Sequence, residues 1–184
     1  MQLILASASP RRKELLGLFH IPFTIRVADI DETMDNTKSP FDEVARVSRL
    51  KAEAIIRDGD DVVVAADTIV VCQGKILGKP ADEAEAYEML RLLSGREHRV
   101  YTGGTLLRNG QEQSRAEESR VFFRELSEEE IRGYVATGEP MDKAGAYGIQ
   151  GGAALFAEKL CGDYFNVVGL PISYVYEVLK VLLK

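Results

Sequence analysis

Residues 62–71 read VVVAADTIVV. Nine of the ten are aliphatic, alanine or threonine, and the tenth, Asp67, is an acid set in their midst. A short β-branched run of this kind predicts a strand buried on both faces. A carboxylate inside it faces a large desolvation cost unless a cation or several donors meet it. Two readings follow. In one, the strand ends at Ala66, and Thr68 with neighbouring amides satisfies Asp67 in a turn. In the other, Asp67 is a functional acid matched by a metal, a lysine or an arginine.

Upstream, Leu3–Ala6 reads as a first strand. Ser9-Pro10 then opens a helix running to about Phe19, with Ser as N-cap and Pro at the first helical position. Arg11, Arg12 and Lys13 crowd its first turn, where the helix dipole favours acids. A bound anion, shared with Ser7, Ser9 and the terminal N–H groups, would account for them; a solvated basic turn is the alternative. Phe23–Val27 alternates as a strand. ADIDE follows at 28–32, with Asp29, Asp31 and Glu32, as a solvated loop or as ligands for a hard cation. Ser39-Pro40-Phe41-Asp42 resembles a capping box, opening a helix to about Arg57 that contains Lys51 and stops at Gly59.

Downstream, Gln73-Gly74-Lys75 is turn-like and Ile76–Gly78 returns, which predicts a short hairpin. Gly78-Lys79-Pro80 has a passing likeness to a phosphate loop, but the glycine spacing is too short for a Walker motif and a proline follows the lysine. Pro80 stiffens the turn and would fix the direction of Lys79; an ordinary surface lysine is the alternative. Asp82–Leu93 carries an apolar stripe of Ala86, Met89, Leu90 and Leu93 and ends at Gly95, a helix. Val100–Leu107 and a stretch reaching Phe123 flank Asn109-Gly110, a hairpin signal. Ser127-Glu128-Glu129-Glu130 is a capping box for a helix to about Val135, closed by Gly138. Residues 142–152, DKAGAYGIQGG, hold four glycines and two alanines. Such small residues permit close backbone approach to a ligand or another chain. Lys143, Tyr147 and Gln150 are its large donor-bearing groups; a structural loop is the alternative. Leu155–Leu160 reads as a strand, and Pro171 opens a final amphipathic helix.

The 184 residues are 46% hydrophobic with a formal net charge of −6, a globular balance that suits one α/β domain with two lobes. The acidic surplus argues against a general nucleic-acid binder, but not against a small anion in a local basic pocket. No apolar run is long enough to span a membrane. The N-terminus lacks the basic start and apolar length of a signal peptide, so a cytosolic location is expected. Cys72 and Cys161 form no C-x-x-C and are expected as buried thiols. With only His20 and His98, a Cys/His zinc site and a Ser-His-Asp triad are disfavoured. Any metal would be held by oxygens, which points to magnesium or manganese.

In chain order, LASASPRRKELL, ADIDE, the lysine of RLKAEA, VAADTIV, LGKP, the VYTG of the hairpin, DKAGAYGIQG and NVVGLP together resemble the Maf family of nucleoside triphosphate pyrophosphatases, over essentially the full length. The resemblance implies a single Maf-like α/β domain over residues 1–184, similar to inosine triphosphatase: an elongated mixed β-sheet flanked by helices, two lobes and a central cleft. It also implies hydrolysis of a nucleoside triphosphate to the monophosphate and pyrophosphate, a divalent metal cation (Mg²⁺ or Mn²⁺), a cytosolic location and a homodimer. Carried onto this chain, the family's proton acceptor falls on Asp67, with Glu32 as the second catalytic acid; both would hold the metal. The substrate-binding groups fall on Ser7, Arg11, Arg12, Lys51, Lys79 and Gln150. The positions that separate subfamilies fall on Arg11, Thr68 and Gln150, and this set resembles the branch acting on dTTP and UTP, modified pyrimidine nucleotides included. The cations would offset the roughly four charges of a triphosphate. The Gln150 amide would pair with N3–H and O4 of uracil or thymine. An association of the family with septum formation keeps a second reading: a nucleotide-binding regulator without turnover. Membranes and nucleic acids are not expected partners.

Overall fold

The computed structural model of the chain describes every residue except Asn36, Ile56, Asp58 and Lys184. The chain divides into two compact units: Met1–Asp67 with Thr102–Glu117 and Gly169–Lys184, and Thr68–Tyr101 with Glu118–Val168.

The first unit begins with β1 (Leu3–Leu5), α1 (Pro10–Gly17), β2 (Phe23–Ile25) and α2 (Pro40–Glu53), which lead into β3 (Val62–Cys72). β1 lies between β2 and β3, parallel to both. Parallel strands in a covered sheet read as continuous apolar runs, and Val62 to Ala66 are all 0% exposed. Ile4, Ala6, Val63 and Ala65 pack there with Ala52, Ile55 and Leu107. α1 starts as its sequence dictates: Pro10 is its first residue and Ser9 Oγ accepts the Arg12 N–H. It stops at Gly17, short of Phe19, and His20 then takes a left-handed φ of 56° that no helix continues through.

α2 begins at the expected Pro40. Its box is half formed, because the Asp42 carboxylate accepts from the Ser39 hydroxyl while Ser39 Oγ accepts the Asp42 N–H. It ends at Glu53, several residues before Arg57; of the expected extension, Ile56 lies outside the described residues. Gly103 fixes how close α2 comes to the sheet: a Cβ there would stand 2.2 Å from the Val44 carbonyl oxygen. One turn along, Ser48 Oγ and Thr105 Oγ1 are 2.7 Å apart, and Thr105 Oγ1 is 2.9 Å from Ser114 Oγ.

The second unit holds the end of β3, β4 (Lys75–Leu77) and α3 (Glu83–Leu93). β5 (Glu97–Arg108) and β6 (Gln111–Phe123) contribute to both units. β4 returns antiparallel to β3 through Gln73 and Gly74, whose φ values are 50° and 75°. The Asn109-Gly110 turn joining β5 to β6 has φ of 51° and 76°, the geometry a tight hairpin needs. α4 (Glu128–Val135) has both arms of its capping box. β7 (Ala157–Cys161) is antiparallel to β6; α5 (Tyr164–Val168) follows, and α6 (Ile172–Leu182) belongs to the first unit. The expected strand from Leu155 therefore starts only at Ala157. Residues Gly152–Phe156 form a 3₁₀ turn instead, with Ala153 and Phe156 buried three apart and Leu155 77% exposed, a helical rather than an alternating pattern.

Among the described residues, seven strands make one mixed sheet, ordered β2-β1-β3-β5-β6-β7, with β4 on β3. No helix among them is long and apolar enough to cross a membrane. Both cysteines are free; Cys72 is buried as expected, but Cys161 is only half-buried.

Candidate active site

The site is best seen first in the turn between β1 and α1. Ser7 is buried, and its Oγ accepts the Ser9 N–H and one Arg12 terminal N–H, each at 3.2 Å. Arg12 Nε donates to the Gly169 carbonyl at 2.8 Å. Two unrelated segments thus hold one guanidinium, with half-buried Arg11 beside it on a first turn that carries no acid. Burial draws Arg12 below the ordinary arginine value; the charge of Asp67 pulls it back up, Arg11 lowers it and Glu32 raises it.

β3 does not end at Ala66. It continues to Cys72, so the turn reading of Asp67 is overturned. The Asp67 carboxylate is met by a lysine instead: Lys51 Nζ lies 2.7 Å from Asp67 Oδ1 and 2.8 Å from Glu32 Oε2. Val44 and Lys51 are seven residues apart and share one face of α2. The close approach at Gly103 therefore also sets the height from which Lys51 reaches β3. Asp67 Oδ2 is buried and has no hydrogen-bond partner among the described residues.

Glu32 arrives on an otherwise exposed loop, and that loop is anchored. Glu43, 0% exposed, accepts the Asp35 N–H at 2.7 Å and two Arg46 N–H bonds at 2.8 and 3.0 Å. Arg46 also donates to the Thr33 carbonyl at 2.8 Å. Arg46 holds the Glu43 carboxyl below its ordinary value, against the opposing effect of desolvation. Asp31, considered above as a cation ligand, accepts the Thr33 N–H at 2.9 Å and so shapes the turn. Nothing in the local sequence marked Glu43 or Arg46, and Gly169 stood out only as one residue of NVVGLP. An acid in a first helical turn looks like a cap, and only the fold brings these groups to the loop and to Arg12.

Ser7, Arg12, Glu32, Lys51 and Asp67 are thus brought together in the first unit. Thr68, Lys79 and Gln150 belong to the second. Thr68 follows Asp67 on β3, half-buried; Lys79 and Gln150 are exposed. Lys79 stands next to Gly78, whose carbonyl accepts the Gly145 N–H at 3.0 Å, so its turn is tied to the glycine-rich loop that carries Gln150.

Among the described residues, no three His, Cys, Asp or Glu side chains are placed to hold a metal ion by themselves. The pair that is present still fits one. Two hard carboxylates, one with an unpartnered buried oxygen, match the way Mg²⁺ is bound, by one or two carboxylates completed by substrate phosphates and waters. The residues suit an ion that comes with a polyphosphate, and offer no soft ligand for another kind.

The profile of the family described as Maf-like protein matches residues 2–182. A protein of Geobacillus sp. (strain WCH70) named dTTP/UTP pyrophosphatase is 53% identical, over 97% of both chains. A protein of Bacillus cereus (strain AH820) with the same name is 50% identical, over 97% of this chain and 94% of its own. Among solved structures, a HAM1 protein from Coxiella burnetii superposes with a TM-score of 0.56 at 16% identity, covering 98% of this chain and 99% of that one. That last likeness is one of fold alone.

Proposed function

The chain belongs to the Maf-like family and is a nucleoside triphosphate pyrophosphatase, and we propose that it acts on dTTP and UTP, modified pyrimidine forms included, releasing the monophosphate and pyrophosphate. The observation that carries this reading is the Lys51 ammonium lodged between Glu32 and Asp67, with Asp67 Oδ2 left over. A protein that only binds nucleotide has no use for a buried acid held beside its phosphate-binding cations.

In this proposal Asp67 Oδ2 accepts the proton of the attacking water as the α–β anhydride is hydrolysed. Arg12, oriented by Ser7 and the Gly169 carbonyl, and Lys51 offset the phosphate charge, joined by Arg11 and Lys79. Phosphoryl and nucleotidyl transfer depend mainly on placement and charge neutralisation, so no covalent nucleophile is required. Glu32 and Asp67 would hold Mg²⁺ or Mn²⁺, which when bound supplies positive charge to the phosphates. Gln150 offers one acceptor and two donors, the pattern that suits N3–H and O4 of uracil or thymine; Arg11 and Thr68 complete the selective set. The homodimer and the cytosolic location belong to the same proposal.

The test is pyrophosphate release from each nucleoside triphosphate with Mn²⁺ or Mg²⁺. Release should be fastest from dTTP and UTP. Asp67→Asn should lose a factor of about 10²–10⁴, the scale of general base catalysis. Normal turnover by Asp67→Asn removes its role as proton acceptor. Binding without release by the natural protein supports the non-catalytic regulator instead.

A further inference from the structure

The loop that carries Gln150 is held on both sides of that residue by one chain of hydrogen bonds. The Tyr134 hydroxyl accepts the Gly148 N–H at 3.1 Å and donates to Glu139 Oε1 at 2.9 Å. Glu139 Oε2 in turn accepts the Gly152 N–H at 3.1 Å. The Gly151 N–H closes the turn on the Gly148 carbonyl at 3.0 Å. A Cβ on Gly151 would stand 1.9 Å from Glu139 Oε1, so any larger residue there would displace the Glu139 carboxylate from its place. Glu139 is itself fixed: its carbonyl accepts from Lys143 Nζ at 2.6 Å. Tyr134 is buried at the end of α4, its ring edge-on to Phe156 at 5.3 Å. Burial raises the phenol's pKa, so the hydroxyl keeps its proton and remains a donor to Glu139.

This is more than loop packing calls for. A glycine-rich turn is the most mobile kind of backbone, and an exposed glutamine on it would sample many positions. Discrimination between uracil and cytosine demands the opposite. The amide must present its acceptor and donors at one height and angle, because the two bases differ only in which groups they offer at those atoms. We propose that Tyr134 and Glu139 are positioning residues for base selection: they clamp the Gly148 and Gly152 amides and so fix the Gln150 side chain, without touching the nucleotide. The inference rests on the reading of Gln150 as the base-pairing group.

Tyr134→Phe deletes one oxygen and Glu139→Gln replaces one acceptor with a donor. The measurement is kcat/KM for UTP and for CTP, with Gln150→Ala alongside, and amide hydrogen exchange at Gly148 and Gly152. In both clamp variants the UTP:CTP ratio should fall about tenfold, the scale of a hydrogen bond lost from a recognition site, and both amides should exchange faster. Gln150→Ala should fall at least as far. If Tyr134→Phe does not fold, Glu139→Gln carries the test. Parallel loss on UTP and CTP, leaving the ratio intact, means ordinary loop stability and overturns the inference. A ratio unchanged in the clamp variants but collapsed in Gln150→Ala overturns it too, while leaving Gln150 as the base reader. A ratio unchanged in Gln150→Ala removes the reading of Gln150 itself.

Discussion

Replacing Lys51 by methionine keeps the apolar stem and deletes the charge that two acids share. The two arms of the interaction differ in weight. Glu32 is 53% exposed, so its arm is screened by water and contributes at most about 1 kcal/mol. The Lys51 and Asp67 side chains are 12% and 8% exposed, and breaking a buried pair by removing one partner costs about 3–5 kcal/mol. Asp67 would be left with neither oxygen partnered, but Arg12 still acts on it through its charge, which places the loss near the lower end, about 3 kcal/mol. For a chain of this size that is a fall in Tm of about 6–12 °C. The assay is urea unfolding at pH 7 with a chelator present, comparing midpoints at constant slope. Adding Asp67→Asn to Lys51→Met removes the stranded charge, and the double variant should recover about 2 kcal/mol. With Mn²⁺ in place of the chelator, Lys51→Met should gain more stability than the natural protein. A Lys51→Met variant within about 0.5 kcal/mol of the natural protein, or a double variant no more stable than the single one, refutes the reasoning.

Arg46→Gln strips the counter-ion from Glu43 and a donor from the Thr33 carbonyl; since Arg46 is 32% exposed, the expected loss is about 2–3 kcal/mol, with faster amide exchange at Asp35. Glu43 is held below its ordinary value, so this contribution is present above about pH 4.3, the unfolded glutamate value, and fades as the pH falls through the lower folded one. Urea midpoints of variant and natural protein should therefore converge in acid. His98 is 1% exposed and burial pushes its pKa down to about 4. Between that value and 6.5 the unfolded chain binds a proton that the folded one does not, so stability falls as the pH is lowered through that window. Between pH 7 and pH 5, His98→Gln should lose about 2 kcal/mol less than the natural protein; equal losses would mean that the ring is already charged when folded.

The helix starts were written locally. Ser9-Pro10, Ser39-Pro40 and Ser127 to Glu130 all open helices where their capping chemistry says they should. Stops were legible only where a glycine takes a positive φ next to the last turn, as Gly95 does after α3 and Gly138 after α4. α2 shows the limit: it ends at Glu53, and neither Arg57 nor Gly59 records that stop. The same holds at Leu155, where apolar residues suggested a strand. The period that wins is the one that buries Ala153 and Phe156 together, which cannot be read before the neighbouring ring of Tyr134 is in place.

For the site, the sequence posed a question it could not answer. An acid within VVVAADTIVV must be matched, but whether by a turn, a metal or a cation depends on what the fold brings to it. The answer lies in Gly103, a residue with no chemistry of its own. By letting the Val44 carbonyl come against β5, it lowers α2 until Lys51, on the same face, reaches Asp67. A methyl group at that point would push the helix outward, because neither backbone can yield, and the ammonium would withdraw from an acid buried at 6% exposure. Charge pairing here is thus a consequence of backbone packing one strand away. That is why the acids and cations could be named from the sequence as candidates, while the partnership among them, and the anchoring of Glu32 by Glu43 and Arg46, could not.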